Sequence, residues 1–343
     1  MVNCPEPDFG NLPAATARLF DAAARTSFFQ QSGWYDLIAR HARPEGVEFH
    51  LYLDGDPANA GLPLRTDGAR RLRAMANAYT LEYGPIGAPG ADVERLASAI
   101  AAEDPRHEMI VLEALDPLAA SFPALVDGFR HARWAAKPVF DFGVWYEETG
   151  GLDFRRYFET RPAILRNTVR RKTAAAQGIE YRFAEPATDI EALIADYETV
   201  YRNSWKEPEP FSEFMPALIR FAFRVGALRM GIARIAGRPA AAQFWLLWAG
   251  RAVIYKLAHD KMFDELSPGT LLTMKMMERV LENDRPDEIN FGRGDDPYKK
   301  MWLGRRRERW IIRAANPRTL HGATRAALWL ASRMRDKLTA KGP

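Results

Sequence analysis

The chain has 343 residues, 47% of them hydrophobic and 27% charged, with a formal net charge of +4. That length suits two ordinary domains, each able to bury a core, and the charged fraction argues against disorder. The net charge is too small to imply nucleic acid by itself, although the stretch from Lys299 onward is strongly basic. A single cysteine, Cys4, excludes an internal disulfide framework and fits a reducing compartment. No apolar run approaches a membrane span; residues 240–249 come nearest, and Gln243 interrupts them. The N-terminus has neither the basic start nor the apolar core of a signal peptide, so the expectation is a soluble cytoplasmic protein.

In chain order, Phe29-Gln30-Gln31-Ser32-Gly33-Trp34 leads into a short helix through Ala39. Residues 47–53 alternate as a strand that ends at the turn Asp54-Gly55-Asp56-Pro57. Residues 62–64, 78–83, 109–113 and 140–145 read as further strands, and 91–102 as a helix. Glu147-Glu148-Thr149-Gly150-Gly151 is the best linker. The expected division is therefore 1–150, 151–317 and a basic helical tail over 318–343.

The second half is clearer. Residues 153–177 read as helical, with two helices or a restart expected at Pro162. A strand over 179–184 is followed by helices over 190–204 and 211–225, then by strands over 228–235, 240–248 and 252–259. The connections Ala236-Gly237-Arg238-Pro239 and Ala249-Gly250-Arg251 are short, which predicts an antiparallel meander. Ser267-Pro268-Gly269 opens a helix over 270–281. Strands over 288–291 and 309–313 and a helix over 320–338 complete the chain. This order predicts an α/β fold with a mixed sheet.

The helix entry at Ser267-Pro268-Gly269 carries the most pointed chemistry. A helix start leaves N–H groups without intrahelical acceptors and bears partial positive charge, so it can hold a phosphate. The plain alternative is an N-cap with proline punctuation. In Trp205-Lys206-Glu207-Pro208-Glu209-Pro210 a tryptophan beside a cation and two carboxylates could hold an amine or a sugar-like acceptor; a rigid, solvated turn is the alternative. Arg166 and Arg170 stand one helical turn apart beside Arg171 and Lys172, which suggests an anionic partner or a solvated face. Asp296 reads as a helix cap. The terminal helix sets Leu320, Ala327, Ala331, Met334 and Leu338 opposite Arg318, Arg325, Arg333, Lys337 and Trp329. It either packs on its domain or touches an anionic membrane surface. There is no zinc-ligand spacing, and no metal is expected.

Several of these segments occur together in one family. The basic helix at 166–172, Ser204-Trp205-Lys206, Gly237-Arg238-Pro239-Ala240-Ala241, Ser267-Pro268-Gly269 and Phe291-Gly292-Arg293-Gly294 with Tyr298-Lys299 resemble GNAT acyltransferases of the Fem-like, cellulose-biosynthesis-type branch. The match spans most of residues 155–303, and the first half resembles the partner module of tandem GNAT proteins more loosely. The resemblance implies two tandem GNAT-like modules, each a mixed, mostly antiparallel sheet flanked by helices. The first, lacking a Ser-Pro-Gly equivalent, would be structural or acceptor-shaping.

It further implies N-acyl transfer from acyl-CoA, acetyl-CoA foremost, to an amine by direct attack. Leu257 on the strand over 253–257, with Ser267, Gly269, Thr270 and Lys299, would bind the donor. Tyr298 would protonate the leaving sulfur; His259, or Glu207 and Glu209 through water, would take the amine's proton. Trp205, Lys206, Asn290 and Arg293 would contact the acceptor, a small molecule or envelope precursor. The usual pyrophosphate loop is richer in glycine and starts with Arg or Gln. Aminoacyl-tRNA, the donor of Fem enzymes, therefore stays open, as does a non-catalytic protein of an envelope polysaccharide system.

Overall fold

The computed structural model describes residues 1–87, 90–176 and 178–339, with side chains to residue 332. The chain forms two compact units, Met1–Phe142 with Glu308–Pro343, and Gly143–Arg307. The first runs β1 (Val2–Pro5), α1 (Ala14–Ala24), α2 (Ser32–His41), β2 (Phe49–Gly55), β3 (Ala58–Thr66), β4 (Arg71–Ala74), β5 (Ile86–Gly87), α3 (Val93–Glu103), β6 (Met109–Leu115), α4 (Ser121–His131) and β7 (Ala135–Glu148), whose last residues enter the second unit. The second unit continues through α5 (Phe154–Glu159), α6 (Ala163–Ala175), β8 (Ile179–Phe183), α7 (Ile190–Asn203), α8 (Phe214–Arg224), β9 (Leu228–Ile235), β10 (Arg238–Trp248), β11 (Arg251–His259), α9 (Pro268–Asn283), β12 (Glu288–Arg293) and α10 (Lys299–Trp302). β13 (Arg305–Ala315) and α11 (Leu320–Thr339) return to the first.

Each unit is built on the same plan. In the first, strands lie in the order β1-β2-β3-β4-β6-β13, antiparallel except for β4 beside β6. In the second, the order is β7-β12-β11-β10-β9-β8, antiparallel except for β11 beside β12. A parallel pair needs a crossover, and a helix supplies it each time, α3 before β6 and α9 before β12. The fold is α/β with two tandem GNAT-like modules.

Local chemistry explains the second unit well. The two-residue loops Ala236-Gly237 and Ala249-Gly250 have φ between 48° and 76° at all four positions, which matches the twist of tight hairpins. Residues 240–246 of β10 are buried without interruption, as expected of a central strand covered on both faces. α9 buries Leu272, Met276, Met277 and Val280 against this sheet. A Cβ at Gly231 would lie 2.8 Å from Met276 Sδ, so the glycine lets helix and strand approach closely.

Two expectations change, for residues 78–83 and for α11. Residues 78–83 are not a strand: Asn77 accepts from Tyr79 N and Thr80 N, closing a side-chain-assisted turn, and only Tyr83 bridges to Leu115. The break expected at Pro162 is present: the stretch over 153–177 forms two helices, with Pro162 as the N-cap of α6, and Gln177 lies outside the described residues. In α11 the expected apolar stripe faces outward, with Leu320, Ala327 and Ala331 exposed. Trp329 and Ala326 pack instead, in a hollow shared with Trp134 and Pro138, so the indole belongs to the packed side. The side chains of Arg333, Met334, Lys337 and Leu338 lie outside the described residues.

Candidate active site

β11 and β12 are in register only over Arg251–Val253 and Glu288–Asn290. Beyond Val253 they share no partners, so the strands part in the direction of His259 and Arg293. β11 is irregular where this begins: Phe244 pairs with Lys256 but Trp245 pairs with Ile254, leaving Tyr255 as an extra residue. A cavity of about 380 Å³ is lined by Leu257 and His259 from β11 and by Ser267, Gly269 and Thr270 from the start of α9. Trp205 and Tyr298 also line it, as do Leu165 and Thr168 of α6.

The entry to α9 is shaped by Ser267, whose φ of 52° is left-handed. Its hydroxyl does not cap the helix. Its carbonyl accepts from Thr270 N and Leu271 N at 3.1 and 3.2 Å, and Pro268 has no N–H to give. Among the described residues nothing accepts from the Gly269 N–H. From below, Gln243, fully buried, donates through Nε2 to the Gly269 carbonyl at 3.1 Å and to Thr273 Oγ1 at 2.5 Å. Its Oε1 accepts from Trp245 Nε1 at 3.2 Å. Lys172 donates to the Glu265 carbonyl, so one cation of the basic helix steadies the loop ahead of α9.

The groups able to move protons stand around the same space. His259 Nε2 is 2.8 Å from Asp264 Oδ1, and its ring lies 4.6 Å from the Trp205 ring, tilted by 47°. Its Nδ1 faces Gly269, where a Cβ would come within 3.1 Å. Tyr298 packs edge-on against Phe291 at 5.6 Å, and its hydroxyl has no hydrogen-bond partner among the described residues. Burial, and then the charge of Asp296, push its pKa above the ordinary tyrosine value, so it is a phenol and a proton donor at neutral pH. Below it, the Trp302 carbonyl accepts from Tyr157 Oη and from Arg161 Nη1 at 2.6 Å, and Arg161 pairs with Glu147 at 2.8 Å. This buried brace fixes the segment that carries Tyr298.

Other predicted residues lie elsewhere. Lys299 is buried and does not line the cavity; Nζ donates to the Arg293 carbonyl at 2.6 Å and pairs with Asp296 at 3.1 Å. Asp296 therefore holds Lys299 rather than capping α10, whose N-cap is Tyr298. Asn290 is buried, donating to Glu288 Oε1 at 2.9 Å and accepting from Gly292 N at 3.1 Å, which shapes the end of β12. Arg293 is partly buried, outside the cavity lining. The Glu207 side chain is exposed, and its carbonyl accepts from Tyr201 Oη.

Glu209 pairs with Lys256 at 2.5 Å. It lines a second cavity, of about 290 Å³, with Lys206, Tyr197, Tyr201 and Ser212. Gln243, Thr273 and the Arg161 brace were not singled out from sequence for the site. An amide inside an otherwise unbroken apolar strand was the available signal for the first.

An open edge of β11 and an unpaired amide at a helix entry meet at this cavity. Residues 163–300, within the second unit, match the family described as "Acetyltransferase (GNAT) domain". Among solved structures it is similar to FemX, with TM-score 0.61 at 8% identity over 91% of this chain and 97% of that one. It is also similar to L-PGS from Bacillus licheniformis, with TM-score 0.57 at 11% identity over 92% and 96%. The tandem GNAT protein from the clavulanic acid biosynthesis pathway gives 0.52 at 16% over 92% and 98%. These identities establish a shared fold. No curated protein sequence matches the chain. Among the described residues no helix is long and apolar enough to cross a membrane.

Proposed function

We propose that the protein transfers an acyl group from acyl-CoA, acetyl-CoA foremost, to an amine acceptor in the cavity of the second unit. The observation that carries this reading is the convergence of the unpaired Gly269 N–H, the parted strands β11 and β12, His259 and Tyr298 on one 380 Å³ space. The cradle fits a diphosphate: a 16-residue helix opens there with a donor free and no carboxylate in its first turn. The corresponding helix of the first unit, α3, differs. Asp92 caps it by accepting from Arg95 N at 2.9 Å, and Glu94 stands in its first turn. A phosphate would meet like charge there, which supports a single donor site in the second unit.

The residues divide the chemistry as follows. The amine's nitrogen forms a bond to the acyl carbon while the carbon–sulfur bond breaks. His259, oriented by Asp264, accepts the proton the amine must lose; Tyr298 gives a proton to the departing sulfur. The main chain of β11 beyond Val253 offers N–H groups to a developing oxyanion.

Calorimetry with acetyl-CoA, CoA and uncharged tRNA tests the donor. Micromolar binding of acetyl-CoA, weakened at least about tenfold by Gly269→Ala, is the expected result. Folded protein that binds tRNA and neither CoA species would overturn the reading.

A further inference from the structure

Lys206 feels the charge of two other lysines of the second unit, Lys256 and Lys299. Both of those are neutralised. Lys256 meets Glu209 at 2.5 Å, and Lys299 meets Asp296 at 3.1 Å together with two carbonyls. Lys206 is different: among the described residues its ammonium has neither a carboxylate nor a hydrogen-bond acceptor, only the face of Trp205 at 5.8 Å. It lines the 290 Å³ cavity, while its chain neighbour Trp205 lines the donor cavity. The Trp205 ring thus neighbours both groups, with the Lys206 ammonium over it and the His259 ring 4.6 Å from it.

An ammonium withdrawn from water without a counter-charge is costly, and a fold tolerates it where a ligand brings the missing charge. Burial, then repulsion from Lys256, lowers the Lys206 pKa to about 8, so the group is still mostly cationic at neutral pH. Glu198, Arg202 and Glu209 line the same cavity, with Glu209 already paired to Lys256. Lys206 supplies an unpaired ammonium, which suits a carboxylate, and Glu198 on the same lining suits a ligand that also carries an amine.

We infer that the acceptor is an amino acid or another amine bearing a carboxylate, that Lys206 binds this carboxylate, and that the amine extends along Trp205 toward His259. This rests on the acyltransferase reading for the amine's fate, though not for carboxylate binding itself. Equilibrium titration of the full chain, followed by calorimetry, tests it with α- and ω-amino acids, their carboxamides, and phosphoethanolamine. At least one amino acid should bind about tenfold or more tightly than its carboxamide. Lys206→Met should abolish that preference while leaving acetyl-CoA affinity unchanged, and Lys206→Arg should retain part of it.

Equal binding of acid and carboxamide, tighter binding of phosphoethanolamine, an unaltered preference in Lys206→Met, or no binding by any acid would each overturn the inference. Acetyl-CoA affinity is measured separately, so a failure of the donor reading shows in that titration alone.

Discussion

Gln243 holds Gly269 by its carbonyl, donating from Nε2 at 3.1 Å across 26 residues of sequence. A carbonyl pinned from beneath fixes the peptide planes at the α9 entry, and with them the unpaired Gly269 N–H. Replacing the amide by Gln243→Met keeps much of the volume and removes the pin. It also deprives the buried Trp245 Nε1 of its acceptor. The expected cost is about 1–3 kcal/mol in denaturant unfolding, with acetyl-CoA bound about tenfold more weakly by calorimetry. Unchanged donor affinity in a folded variant would remove Gln243 from the site.

Gly269→Ala separates donor binding from stability. The added Cβ would stand 3.1 Å from His259 Nδ1, tighter than ordinary contact, so the imidazole must shift. Alanine is otherwise the better helix residue by up to about 1 kcal/mol. The variant should melt no lower than wild type while KM for the donor rises about tenfold and kcat falls. A lowered melting temperature with unaltered kinetics would mean that the glycine serves packing alone.

How far the sequence discloses this site depends on how local each cause is. The α9 entry was legible because Pro268 and Gly269 act on their own backbone, and the hairpins because Gly237 and Gly250 do the same. Lys299 was misplaced for a geometric reason. Successive residues of a helix point about 100° apart, so with Tyr298 on the cavity its neighbour turns into the 293–296 loop. Gln243 and Thr273 are 30 residues apart in sequence, and nothing short of the sheet topology brings them together. In the terminal helix the periodicity was real, but alanines mark either face equally well, and the packed side is the one that carries Trp329.

Tyr298→Phe should lower kcat by about 10²-fold, in the range of a lost general acid, with donor affinity and melting temperature near wild type. The phenol has no hydrogen-bond partner among the described residues, so its removal orphans nothing. Stopped-flow detection of free thiol provides the measurement. A thiol with a lower leaving-group pKa in place of CoA should recover much of the lost rate. If the variant turns over as fast as wild type, the sulfur takes its proton from elsewhere.

Lys206→Met should make the protein more stable, and by an amount that depends on pH. The folded state holds this lysine's proton less tightly than the unfolded chain does, about 8 against 10.5, chiefly through burial. Below pH 8 the amine is charged in both states and the whole penalty is present, on the order of 3 kcal/mol. Between pH 8 and 10.5 the unfolded chain binds more protons, so wild-type stability from this group rises with pH. The variant lacks that slope. Urea unfolding at pH 7 should therefore favour Lys206→Met, and the advantage should shrink as pH rises through 8 and be gone by about 10.5. A variant less stable than wild type at pH 7 would show that Lys206 is already compensated within the fold, and that no ligand anion is needed to explain it.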